Sequence, residues 1–157
     1  MAEELRVPTQ SVRAEILLVD GKRLKGEIFI PAATTDYAGS RGVEDWIEEL
    51  EEFFPFHTEG AAKPALYAKE AIVALTTTAP EGGAEEIDTP ASDAFPHHHV
   101  VLECAASRHE GTLSIEMPAH QRRVLDCMNH HERFVCLRNG NRLQLVRKRA
   151  VLRVIEP

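Results

Sequence analysis

Three consecutive histidines, His97-His98-His99, are the side chains most able to do chemistry in this 157-residue chain, because imidazoles bind transition metals. Successive residues of an extended chain point to opposite sides, so only His97 and His99 of the run could share one ion. Further ligands would have to come from His109, His120, His130, His131, Cys127 or Cys136, whose positions match no recognised zinc spacing. The expectation is exposed linker histidines and no metal or other cofactor, with His97 and His99 as the candidates if an ion is held. The three cysteines, Cys104, Cys127 and Cys136, form no Cys-x-x-Cys pair and are odd in number, so half-buried reduced thiols are expected rather than a disulfide framework.

Catalytic constellations are missing from the sequence. There is no G-x-S-x-G elbow, no cysteine in a comparable setting, no phosphate-binding loop and no dinucleotide fingerprint, so an enzyme is not expected. Glu48, Glu49, Glu51 and Glu52 alternate with an apolar stripe and read as a solvated helix face rather than paired catalytic carboxylates. The strongest binding candidates are basic: Arg138, Arg142, Arg147, Lys148, Arg149 and Arg153. Arg147, Arg149 and Arg153 stand at even separations, so in an extended segment they would line one face and could meet successive phosphates or a carboxylate-rich surface. Phe134 is the one aromatic nearby and reads as core, which leaves no stacking platform for bases.

Charge divides the chain in two. Residues 1–98 carry 8 Lys/Arg against 19 Asp/Glu, a balance of -11, whereas residues 99–157 carry 10 against 6, a balance of +4. Between the two lies the segment 77–98, TTAPEGGAEEIDTPASDAFPHH, acidic, rich in Pro and Gly and nearly devoid of large apolar residues, which predicts a flexible linker. Its acidity serves solubility, or lets it lie across the basic half in competition with a partner. No run approaches the ~20 apolar residues of a membrane span, and the acidic start Met1-Ala-Glu-Glu is unlike a signal peptide, so a cytoplasmic protein is expected.

The segments 11–76 and 99–156 run in parallel. Each opens with an apolar stretch whose fourth residue is Glu (Glu15, Glu103), followed by a stretch from glycine to proline (Gly26 to Pro31, Gly111 to Pro118). Arg41, Asp45 and Phe53 then match Arg122, Asp126 and Phe134 with identical spacing, and Leu66, Lys69 and Ala71 match Leu145, Lys148 and Ala150. Within each unit the elements follow from local pattern. Residues 12–19 and 22–30 flank Asp20-Gly21 and predict a hairpin, as residues 134–137 and 142–146 do around Asn139-Gly140. Val43, Trp46, Ile47 and Leu50 form one helical stripe with Ser40 as N-cap, and Val124, Leu125 and Met128 form a shorter one. Residues 150–155 predict a last strand with Ala150, Leu152 and Val154 on one face, while residues 37–42 and 52–64 read as loops. The fold class expected is α+β, mainly β: two repeated β-β-α-β-β units, residues 11–76 and 99–156, paired about a pseudo-twofold, in separate barrels or one shared sheet.

The second unit carries Arg122-Arg123-Val124-Leu125-Asp126-Cys127-Met128-Asn129, then Phe134-Val135-Cys136-Leu137, then Leu145-Val146-Arg147-Lys148-Arg149-Ala150-Val151. The first carries Phe53-Phe54-Pro55-Phe56 and Leu66-Tyr67-Ala68-Lys69-Glu70-Ala71-Ile72. This constellation resembles a bacterial domain family of unknown function, which implies tandem copies of one domain and no particular activity. The hairpin Asp20-Gly21-Lys22-Arg23-Leu24-Lys25-Gly26-Glu27 also resembles, more distantly, the first motif of Sm-like small β-barrels. Arg147 keeps the arginine of their second motif, Lys148 takes the place of its glycine, and Ala68-Lys69 keeps neither. The resemblance implies a small-barrel topology and, as an alternative function, RNA binding through the basic second unit. The primary expectation is a non-catalytic protein-interaction or adaptor module that meets a protein partner or itself through exposed strands or opposite charges. Metal-dependent binding through the histidine run is a third reading.

Overall fold

The computed structural model describes residues 9–31, 40–49, 51–78, 96–115 and 117–157, and all structural statements concern these. The predicted hairpins form where their turns demand them. Strands β1 (Thr9–Leu18) and β2 (Arg23–Pro31) turn at Gly21 (φ 89°), and β8 (Phe134–Asn139) and β9 (Arg142–Arg147) turn at Gly140 (φ 61°), backbone conformations that cost glycine nothing. The helical stripe becomes α1 (Ser40–Glu49), with Val43, Trp46 and Ile47 buried; Leu50 and the Ser40 side chain lie outside the described residues. A short α2 (Val124–Met128) follows later, its start held by the Asp126 carboxylate, which accepts from the Arg123 backbone N–H at 3.1 Å and from its guanidinium at 3.0 Å.

The remaining strands are β3 (Phe53–Thr58), β4 (Ala65–Ala68), β5 (Ile72–Thr78), β6 (His97–Cys104), β7 (Arg108–Ser114) and β10 (Val151–Ile155). β3 occupies residues expected to be loop. Pro55 breaks the apparent strand pattern but faces outward, while Phe54 and Phe56 alternate into the core. The supposed linker 77–98 is strand at both ends: β5 runs to Thr78 and β6 starts at His97, leaving residues 79–95 outside the described residues. The histidine run is therefore sheet, because its backbone continues the β6–β7 ladder to His97 opposite Ser114.

All ten strands join one antiparallel sheet in the order β10-β6-β7-β8-β9-β5-β1-β2-β3-β4. Of the two arrangements expected, separate barrels or one shared sheet, the described strands form one open sheet and no closed barrel. Rather than turning back to seal on β4, β5 pairs with β9, from Ala74 opposite Val146 to Thr78 opposite Arg142, so the halves share a single sheet with β4 and β10 at its two ends. Side chains from this joint alternate between two cores. Leu143 and Leu145 of β9, with Phe134, enter the core built on Trp46, Ile47, Phe54 and Phe56. Leu17 and Ala74 from the first half enter the core around Val100, Leu102, Leu137 and Val146. Each half thus completes the other's core, which offsets the small core available to about 60 residues alone.

The last strand departs from its expected facing. Lys148–Ala150 is a 3-10 turn, and the β10–β6 register shifts between Val151 and Arg153, so Leu152 bulges outward and is 74% exposed.

Candidate functional site

The basic residues do not form the single extended face expected of them, because the 3-10 turn and the bulge intervene between Arg147 and Arg153. Arg147 turns inward across the joint, its Nε donating to the Ile72 carbonyl at 2.7 Å and its guanidinium lying 3.6 Å from Glu70. Lys148 Nζ donates to the Cys127 and His130 carbonyls at 2.7 and 3.2 Å, closing the segment after α2. Arg153 is held by Glu103 through two donors, at 2.8 and 3.1 Å. Arg149 is exposed, and Arg138 is partly buried on β8. Arg142 lines a cavity.

That cavity, about 170 Å³, opens over the joint between the halves. Arg23 of β2, Arg108 of β7 and Arg142 of β9 surround it, with Glu15 as the one acidic residue and Leu17, Ala74, Thr76, His109 and Gln144 completing the lining. Strand pairing brings these together: β5 carries Ala74 and Thr76 beside Val146 and Gln144 of β9, and β1 carries Glu15 opposite Thr76. Arg23 lies 3.5 Å from Glu15, and the charge of Arg108 acts on the nearby Glu110 carboxylate, whose pKa is lowered chiefly by its His99 hydrogen bond.

His109 and Gln144 are buried polar residues at this joint. With Gln144 Oε1 as acceptor, His109 Nδ1–H donates at 3.2 Å, and Nε2 accepts from the Ser107 hydroxyl at 2.9 Å. Burial holds the imidazole below its ordinary pKa, against the opposing Gln144 hydrogen bond, and the Arg23 charge lowers it further. By sequence alone His109 reads only as a stray metal ligand. The usable signal was its position two residues before Gly111 and four before Leu113, on the inward face of a strand.

A second missed residue is Glu48. Assigned to a solvated face, its carboxylate instead reaches the other half and accepts the backbone N–H groups of Arg133 and Phe134 at 3.0 and 2.8 Å. Lys69, which matches Lys148 in the sequence, donates to the Glu48 carbonyl at 3.2 Å, and burial lowers its pKa.

His97 and His99 are exposed, His99 Nε2 lies 2.8 Å from Glu110, and His98 Nδ1 lies 3.3 Å from Glu156. Among the described residues no group of three or more His, Cys, Asp or Glu converges on one point. The three cysteines are free and half-buried, and burial raises the pKa of Cys104 and Cys127. No helix among the described residues is long and apolar enough to cross a membrane.

The described sheet has two free edges. β4 exposes Leu66 (71%) beside Phe53 of β3 (59%), and β10 exposes Leu152. No family model, curated protein or solved structure matches the chain.

Proposed function

We propose that the protein is a non-catalytic interaction module of two repeated units that assembles edge to edge with further copies of itself. Pairing registers support the repeat. Phe53 opposite Ala68 has its counterpart in Phe134 opposite Arg147, and Glu27 opposite His57 in Thr112 opposite Arg138. Ile16 opposite Leu75 corresponds to Leu102 opposite Val154, and the register shift at Leu17/Leu18 corresponds to that at Val151/Arg153. Lys69 N–H donates to the Glu52 carbonyl at 2.8 Å and Lys148 N–H to the Arg133 carbonyl at 2.9 Å. Both Gly26 and Gly111 lie where a Cβ would strike a carbonyl oxygen of the neighbouring strand, that of His57 or Arg138. In this register Ala14, opposite Gly26, matches Val100, opposite Gly111, so the sequence alignment of Glu15 with Glu103 slides by two residues.

One contrast carries the assembly reading. Leu145 is 2% exposed because β5 pairs with β9, whereas its counterpart Leu66, on an edge with no neighbour among the described residues, is 71% exposed. The same holds for Phe134 (3%) against Phe53 (59%), and for partly buried Val73 against Leu152 (74%). The internal joint unites a fifth strand (β5) with a fourth (β9), and the free edges are the remaining fifth strand, β10, and the remaining fourth strand, β4. Carrying the Leu75–Leu145 pairing over places Val154 of one copy opposite Leu66 of the next. Two unlike edges meeting make a head-to-tail contact, which closes into a ring or grows into a filament.

Sedimentation velocity from about 1 to 100 µM, the affinity range of modest interfaces, tests this. Mass should rise with concentration, and Leu66→Glu with Leu152→Glu should hold the chain monomeric. A monomer throughout, or assembly indifferent to both substitutions, would overturn it.

A further inference from the structure

The arginine-rimmed cavity over the internal joint is not used by strand pairing, and its composition asks for a separate account. Among the described residues, three guanidiniums surround about 170 Å³ with a single carboxylate beside them, in a chain whose net charge is -7. Like charges held around one concavity repel, and a bound anion relieves that repulsion. Guanidiniums also match the oxygens of tetrahedral oxyanions with paired, planar donors.

The floor has changed chemistry between the halves. By the register given above, His109 stands where the first unit has Leu24, and Gln144 stands where it has Ala65. Leu24, partly buried against the first core, shows that this architecture does not require a polar group at the His109 position. Burying an imidazole and an amide is costly unless each is satisfied, and here they satisfy one another and Ser107. A buried hydrogen bond to His109 fixes the Gln144 side chain in the lining of the cleft that Arg108 and Arg142 also line. This comparison rests on the two-unit reading; the cavity and its three arginines do not.

We infer that the cleft between Arg23, Arg108 and Arg142 binds the phosphoryl group of a small phosphomonoester. The cavity, about 170 Å³, has room for a phosphoryl group, and the rest of such a ligand would extend into solvent. Both halves contribute to the site: Arg23 comes from the acidic first half, Arg108 and Arg142 from the basic second.

Calorimetric titration of the full chain at low ionic strength tests this, with inorganic phosphate and ribose 5-phosphate as probes. One saturable site per chain is expected for both, with tighter binding of the sugar phosphate if the ligand is organic and equal binding if free phosphate suffices. Arg108→Gln and Arg142→Gln should each weaken binding about ten-fold or more, the loss of a charge-assisted contact. Arg149→Gln, the same charge change outside the cleft, should leave it unaltered. No saturable binding up to about 10 mM, the weak limit of specific affinity, would overturn the site. So would an Arg149→Gln effect equal to that of Arg142→Gln, or binding of an RNA oligomer without response to either small probe. Repeating the titration in the Leu66→Glu variant keeps the two proposals apart, because the cleft lies within one chain and binding should survive loss of assembly.

Discussion

On the proposed two-unit organisation Leu66 and Leu145 are counterparts, so truncating each should have opposite consequences. Leu145 is 2% exposed and belongs to the core beneath α1, so Leu145→Ala leaves a cavity and should cost about 2–5 kcal/mol of folding stability. Leu66 is 71% exposed, so Leu66→Ala removes little from the isolated chain, within about 0.5 kcal/mol. In the assembly its exposure should fall to that of Leu145, roughly two-thirds of the ~1.5–3 kcal/mol for burying a leucine side chain. The variant should therefore lose about 1–2 kcal/mol per joint, a ~5–30-fold weaker association. Urea denaturation of dilute protein gives the folding term, and sedimentation velocity across a concentration series gives the association term. If Leu66→Ala lowers the urea midpoint as far as Leu145→Ala does, or leaves the association constant unchanged, the equivalence of the two edges is wrong.

Three other perturbations probe the fold beneath the site. Glu48→Ala strips the Arg133 and Phe134 N–H groups of their acceptor and should cost about 1–3 kcal/mol, while Glu48→Gln, which retains one acceptor oxygen, should lose less in the same urea titration. Gly26→Ala forces a methyl group onto the His57 carbonyl and should destabilise by about 1–3 kcal/mol through strain, read as a lower melting temperature with no change in cooperativity. His109 is neutral in the fold with a lowered pKa, so below the ordinary imidazole pKa of about 6.5 the unfolded chain binds a proton that the folded chain resists. Its contribution to stability is complete above that pH and is lost as pH falls towards the lowered folded value. His109→Leu, which restores the residue type of Leu24, should flatten the urea midpoint over that interval. An unchanged slope would show that His109 is not the group responsible.

The two hairpins, the helix and the mainly β composition were legible in the sequence because each is a local matter. Asp20-Gly21 and Asn139-Gly140 specify tight turns, and Val43, Trp46 and Ile47 recur at the spacing of one helix face. The opposite charge of the halves and the matches at Phe53/Phe134 and Leu66/Leu145 were equally open to inspection. What each strand would pair with was not. β5 had the pattern of a strand whether it sealed a barrel or joined β9, and the choice rests on cores that draw on both halves, Leu17 with Leu137 and Phe134 with Trp46. The same non-local decision drew Arg147 and Glu48 out of their expected solvent-facing roles and into bonds that cross the joint. It also gathered Arg23, Arg108 and Arg142 from three separated strands around one cavity. Sequence periodicity reports which face of an element is apolar; only the tertiary structure decides which neighbour covers that face, because pairing energy is shared among residues far apart in the chain.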